Sequence, residues 1–376
     1  MRQAMVTVLA VLSMLACSGR GDAILVGEVG SLTGPEASFG QSTHKGIQLA
    51  IAEINAAGGI GGRKVRLKAV DDQGKPEKAA SAMKAVILRD GVVAVLGEVS
   101  SRLSLQMAPK AQRLAVPMVS PSSTNVRVTR VGDYVFRVCF IDPFQGEVMA
   151  RFAFDKLHAT RVVVLRDVAS DYSTGLADAF TKTFTSLGGQ VLLDEAYRKG
   201  DVDFRAQLTK LKGVDPEAVF VPGYYNDVGL IARQAKELGL DAPLMGGDGW
   251  DSEKLYEVGG KALEGSYFSN HYSVDDPSPR IRAFVEAYKA KFDGQVPDGL
   301  AAMGYDAMGV LADAMRRSPD TSGSALRDAL AATRGFEGVT GRISIDGERN
   351  AVKPAVVLRI GPGGRFEFVE RVEGTP

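Results

Sequence analysis

The chain has 376 residues, 45% hydrophobic and 24% charged, values that admit two or three globular domains and argue against a disordered chain. Lys plus Arg equals Asp plus Glu at 45 each, so no basic field points to a nucleic-acid partner.

In chain order, the N-terminus comes first. Arg2 precedes an apolar run over 4–16, interrupted by Thr7 and Ser13 and ending at Cys17. The run is too short to span a bilayer and has the shape of a secretory signal. Ser13-Met14-Leu15-Ala16-Cys17 resembles a bacterial lipoprotein signal, which implies a signal peptide over 1–16, a lipidated Cys17 and a polar tether over 17–23. Met14 departs from the usual Leu, and a plain secretory cleavage is the rival reading. With Cys17 lipidated, Cys139 has no disulfide partner, and its apolar neighbours suit a buried thiol.

A first strand is expected over 24–29, followed by the turn GSLTGPEASFG and a helix over 42–57 that Gly58 and Gly59 stop. A half-wet strand over 63–70 ends in Asp71-Asp72, read as a water-exposed pair, and a helix over 77–89 opens after Pro76. Strands over 92–96 and 116–119 flank a helix over 101–114, with Ser100 and Ser101 as caps. These elements read βαβαβαβ, a doubly wound α/β layer. The same rhythm resumes with strands over 162–165, 191–196, 218–221 and 243–245, separated by helices over 173–187, 204–211 and 228–238. Helices over 280–292, 300–316 and 324–333 follow, and the chain ends in strands over 342–346, 355–360 and 366–369. Two similar halves suggest two lobes around a cleft.

In a parallel sheet the turns after successive strands emerge along one edge. That brings Ser101 together with Ser122, Ser123 and Thr124 beside a helix N-terminus, where hydroxyls and free amides suit a small carboxylate. The same residues also suit ordinary caps and turns. In the second half the corresponding turns carry Tyr172, Tyr224, Asp248 and Trp250. Asp248, between Gly247 and Gly249, would face the hydroxyls across the cleft, giving the polarity of a zwitterion with its carboxylate at Ser101, Ser122 and Thr124 and its ammonium at Asp248. No G-x-S-x-G elbow, Walker loop or Cys/His cluster is present, so no enzyme, cofactor or metal is expected. The three histidines, His44, His158 and His271, lie far apart in sequence and suit surface or structural roles. GGIGG at 58–62 follows a helix and precedes a strand, the reverse of a phosphate loop, and reads as a turn.

An ordered series of segments carries a resemblance: GEVGSLTGPEASFGQ, AIAEINAAGGIGGRKVRLKAVDDQGKPEKA, GEVSSRLSLQMAP, VPMVSPSSTN, DYSTGLADAF, PGYYNDVGLIARQAKELGL and MGGDGWDS. Over essentially the whole mature chain it resembles the leucine/isoleucine/valine-binding proteins of bacterial ABC importers. The resemblance implies the type I periplasmic binding protein fold, two doubly wound α/β lobes closing like a Venus flytrap. It implies a first lobe of 24–142 and 274–349 and a second of 143–273 and 350–376. It also implies a ligand site of Phe39, Ser100, Ser101, Ser122, Ser123, Thr124, Tyr172, Tyr224, Asp248, Trp250 and Leu300. Gly74 and Ser100 stand where some relatives carry a disulfide, and Leu300 stands where a relative has an aromatic. The function implied is capture of an amino acid, branched-chain first, outside the cytoplasmic membrane and delivery to a membrane permease by a lipid-tethered monomer. An aromatic amino acid, an aromatic acid or a small amide are alternative ligands, and a ligand sensor is the alternative role.

Overall fold

The computed structural model describes residues 23–374, so the signal, Cys17 and all but the last residue of the tether lie outside the described residues. Two large sheets, the first parallel and the second mixed, organise the chain beside a small three-stranded antiparallel sheet. The first has five strands, in the order Val65–Asp71, Ile24–Gly30, Ala94–Leu96, Met118–Ser120, Val135–Arg137, all parallel. Its central strands are continuous apolar runs because helices cover both faces. The helix Ala37–Ala56 packs against Gly299–Arg317, where Gly46 and Gly304 let the two backbones approach: a Cβ at Gly46 would sit 1.9 Å from the Ala301 carbonyl oxygen.

The second sheet has seven strands. Gln190–Tyr197, Arg161–Asp167, Ala218–Phe220, Leu244–Gly246 and Tyr267–Asn270 run parallel, and Ala355–Ile360 and Phe366–Val372 extend the sheet antiparallel. The chain passes between sheets after Val135–Arg137, where Asp142–Arg151 packs on Asp171–Ser186 of the second lobe. It returns after Tyr267–Asn270, where Pro279–Lys291 packs on Ala37–Ala56. A third passage leads to Ala355–Ile360.

Several expectations need correction. The first helix starts at Ala37 rather than 42, so the Gly-rich turn is shorter than its composition suggested. Asp142–Arg151 and the strand Tyr267–Asn270 were not foreseen. Their apolar residues are broken by Asp142, Gln145, Ser269 and Asn270, which are buried polar groups, Gln145 accepting from Ser269 Oγ and the Asp248 amide. Ser100 occupies the N-cap position of Ser101–Leu114, but its side chain makes no capping bond. Asp72 is not exposed: it is fully buried, accepting from the Ser31 hydroxyl at 2.9 Å and from the Gly74 amide at 2.9 Å.

Candidate functional site

The C-terminal ends of the two sheets face one another and are in contact. Tyr225 Oη and Asn226 Nδ2 both donate to the Pro35 carbonyl, at 2.8 and 2.6 Å. Asn125 Nδ2 donates to the Asp171 carbonyl at 2.7 Å, Arg127 pairs with Asp171, and Lys199 pairs with Glu36. These contacts join the lobes over an inner chamber lined by Phe39, Val99, Ser101, Ser122, Tyr172, Tyr224, Asp248, Gly249 and Leu300. An outer vestibule lies between Glu36, Arg102 and Lys199, and Tyr224 borders both spaces. The Tyr224 hydroxyl donates across the cleft to Ser100 Oγ at 3.5 Å.

One end of the inner chamber is the hydroxyl cradle. Ser101 opens its helix, so the first-turn amides lack helical acceptors, and its Oγ accepts from the Asn125 amide at 3.2 Å. The turn beneath is fixed from inside. Ser123 Oγ donates to the carbonyls of Glu98 and Val99 at 2.9 Å each, and Ser120 Oγ donates to the Glu98 carbonyl at 2.7 Å. Arg137, fully buried, donates to the carbonyls of Ser123 and Asn125 from behind. Glu98, also buried, accepts from Ser31 N and Oγ at 3.0 Å and from Ser100 N at 2.5 Å. Burial, with Asp72 and Glu36 nearby, holds the Glu98 carboxyl well above the usual carboxylate range.

The other end is acidic. Asp248 sits on a short turn after Leu244–Gly246, its amide held by Gln145 Oε1 at 2.8 Å. The flanking glycines are sterically required. A Cβ on Gly247 would lie 2.6 Å from Tyr172 Oη, and one on Gly249 would lie 2.7 Å from the Gly223 carbonyl oxygen. Tyr172 Oη accepts from the Gly249 amide at 3.1 Å and its ring stacks on Tyr224 at 5.1 Å, so this wall is rigid. Phe39 meets Tyr224 edge-on at 5.6 Å, and Leu300 closes the apolar side.

The structure thus brings Phe39, Ser101, Ser122, Tyr172, Tyr224, Asp248 and Leu300 to one chamber. Ser100 lines the vestibule instead, and Ser123 turns inward to backbone carbonyls. Thr124 is buried just below the lining, with its hydroxyl unpartnered. Trp250 departs furthest from expectation. It is fully buried, its Nε1 donates to the Val221 carbonyl at 3.0 Å, and it packs under Gly246 in the second lobe's core. The bare Cα of Gly246 opens a slot that draws the indole inward.

Sequence reasoning missed His271, Asp142 and Gln145. His271 Nε2 lies 3.1 Å from Asp248 Oδ2, and burial lowers its pKa to about 4. Burial pushes the Asp142 carboxyl up to about 8. The segment DPFQG, opening a helix directly after an apolar strand, was the available signal for Asp142 and Gln145. His271 offered none. Among the described residues no cluster of His, Cys, Asp or Glu could hold a metal ion, and no helix is long and apolar enough to cross a membrane.

Comparison with known proteins agrees with this fold. A periplasmic binding protein family profile matches residues 23–365. The chain is 34% identical over 304 residues to Leu/Ile/Val-binding protein homolog 3 of Brucella melitensis, covering 80% of this chain and 81% of that one. Among solved structures it is similar to a leucine-binding protein, LivK, of Thermotoga maritima, at 40% identity and a TM-score of 0.89, with 93% and 99% of the two chains covered. It is also similar to the branched-chain amino acid transporter substrate-binding protein LivJ of Streptococcus pneumoniae in complex with isoleucine. That match has 36% identity and a TM-score of 0.88, over 93% and 99% of the two chains.

Proposed function

This chain belongs to the periplasmic binding protein family, and on that premise we propose that it is the extracytoplasmic solute-binding component of an ABC importer, capturing a branched-chain amino acid. The observation that carries the reading is that Ser101 and Ser122 of the first lobe and Asp248 of the second line one chamber between the lobes. The α-carboxylate meets hydroxyls and first-turn amides at the end of the helix Ser101–Leu114. The α-ammonium meets the Asp248 carboxylate, in a water-poor space that strengthens the pair. Phe39, Tyr224 and Leu300 surround the side chain. Lobe 1 comprises 24–142 and 274–349, and lobe 2 comprises 143–273 with the C-terminal strands. Their closure over the ligand presents the form that a membrane permease receives, and no chemical step is involved. Cys17 carries the lipid that tethers a monomer to the cell envelope.

The test is a thermal-shift and calorimetry panel of the mature protein against the proteinogenic amino acids, aromatic acids and amides. Leucine, isoleucine or valine at a hundredfold excess over its dissociation constant should add roughly 2.7 kcal/mol of stability, a shift of several degrees. A response confined to ligands without an amine would overturn the amino-acid reading.

A further inference from the structure

The acid end of the chamber contains a residue whose contact the capture reading does not need. His271 follows the strand Tyr267–Asn270 at a passage between lobes, and it is buried. Its ring stacks on Phe140, which stands at the other passage, with centroids 3.7 Å apart and planes at 27°. Nε2 lies 3.1 Å from Oδ2 of Asp248. A carboxylate oxygen only accepts, so the imidazole must carry its proton on Nε2 and donate. Nδ1 then bears the lone pair, consistent with its having no partner among the described residues. Asp248 Oδ1, buried, likewise has no partner within the described chain.

We propose that His271 is a specificity-determining residue of the ligand site: its Nε2–H ties down Oδ2 of Asp248 so that Oδ1 is presented to the ligand's ammonium, and it thereby selects amino acids over the same acids lacking the amine. This deepens the amino-acid reading above and rests on it. Three constraints on Asp248 make the arrangement coherent. Its backbone amide is fixed by Gln145 Oε1 at 2.8 Å, its neighbouring glycines admit no side chain, and its carboxylate plane is set by His271. Without the imidazole the carboxylate would rotate towards Tyr172 or Asp142, and the ammonium would meet it in poor geometry. A neutral donor is the right choice here. A cationic histidine would neutralise Asp248 and compete with the ligand, and burial opposes that form. Because His271 and Phe140 sit on the two passages between lobes, the orientation of the acid is tied to the part of the chain that bends.

The experiment measures leucine and 4-methylpentanoate (leucine without its amine) by calorimetry on the wild type, His271→Phe, His271→Gln and Asp248→Asn. Phenylalanine keeps the stack on Phe140 and removes the donor, whereas glutamine restores an N–H donor. The leucine preference should fall about 10- to 100-fold in His271→Phe, the usual worth of a hydrogen bond to a charged group, and largely recover in His271→Gln. A preference kept within about twofold in His271→Phe while Asp248→Asn abolishes it would overturn the role of His271 alone. A preference that survives Asp248→Asn would overturn the amino-acid reading itself. Long-range ¹H–¹⁵N spectra of the unmodified protein give a measure independent of variant folding. They should show a neutral Nε2–H imidazole, and an Nδ1–H or doubly protonated ring would refute the proposal.

Discussion

At the Ser101 end of the chamber the buried serine hydroxyls are committed to the protein itself, whereas around Asp248 buried polar atoms are left over. Ser104, Ser120 and Ser123 all close hydrogen bonds with Glu98 or with one another. At the opposite end, Gln145 Nε2, Asp248 Oδ1 and His271 Nδ1 have no partner among the described residues, whereas at the cradle only Thr124 Oγ1, beside Asp142, is left open. An unsatisfied buried polar group costs about 1–3 kcal/mol, so atoms left open together at one place indicate a site waiting for a partner of its own polarity. In the reading proposed above, the first lobe's cradle takes the carboxylate and the second lobe's acid takes the amine.

The strongest way to break this contrast is to remove the acid. Asp248→Ala should weaken branched-chain amino-acid binding by roughly 100-fold or more, because the ammonium is then buried without a counter-charge. The binding of 4-methylpentanoate, having no amine to lose, should hold or improve. Calorimetry of both ligands decides it, and equal losses would mean that Asp248 acts on the fold rather than on the amine.

Next is the cradle. Ser101→Ala removes a hydroxyl that accepts from the Asn125 amide and can donate into the chamber. The expected loss is about tenfold, and it should be the same for leucine and 4-methylpentanoate because both carry the carboxylate. A loss confined to leucine would reverse the assignment of the two ends.

The sequence carried this contrast unevenly, for physical reasons. Parallel α/β topology dictates that turns after successive strands share an edge, so periodicity placed the SPSST and GGDGW turns each at the edge of its own sheet, while their opposition depended on how the two lobes meet. Gly247 and Gly249 marked Asp248 as a candidate, but why they must be glycine, the close approach of Tyr172 Oη and of the Gly223 carbonyl, appears only in the structure. What lay beneath the lining was not legible. Trp250 stood in the same decorated turn as Asp248, and only the slot over Gly246 sends it into the core. His271 lay 23 positions from its carboxylate partner and had no motif around it. Asp72 was indistinguishable from an exposed strand end until Ser31 and Gly74 came to cover it. Local pattern encodes where strands end, whereas buried partners are set by which loops meet.

A third prediction concerns Asp142, whose carboxyl burial pushes up to about 8. In the unfolded chain this group titrates near an ordinary aspartate value of about 3.9. Between those values the native state holds a proton that the unfolded state releases. The stability Asp142 contributes is therefore fully present in acid and is lost as pH rises towards 8. His271 works in the opposite sense. Its pKa is lowered to about 4, so its contribution is lost as pH falls from about 6.5 through that value. Asp142→Asn removes only the first trend. The variant's Tm minus that of the wild type should become more positive by a few degrees between about pH 5 and pH 8, read by calorimetry on ligand-free protein. A difference that is flat with pH would mean Asp142 is ionised in the native state.

The smallest expected effect lies outside the chamber, where the contrast between the ends gives way to the contact between lobes. Lys199 reaches across the vestibule to Glu36, with side chains 30% and 5% exposed, in the space that Tyr224 also borders. A half-screened pair of this kind stabilises the closed form modestly and does not touch the inner chamber. Lys199→Ala should therefore speed ligand release about two- to fivefold, leave the association rate nearly unchanged, and leave the preference for leucine over 4-methylpentanoate intact. Salt should speed release from the wild type and have less effect on the variant, since screening acts on the charge that was removed. The neutral donations of Tyr225 and Asn226 to the Pro35 carbonyl predict the converse: Asn226→Ala should speed release with its salt dependence unaltered. Stopped-flow release at two ionic strengths separates the two contacts. If Lys199→Ala instead changed the leucine preference, the vestibule would be part of ligand recognition, and closure and selection would be one event rather than two.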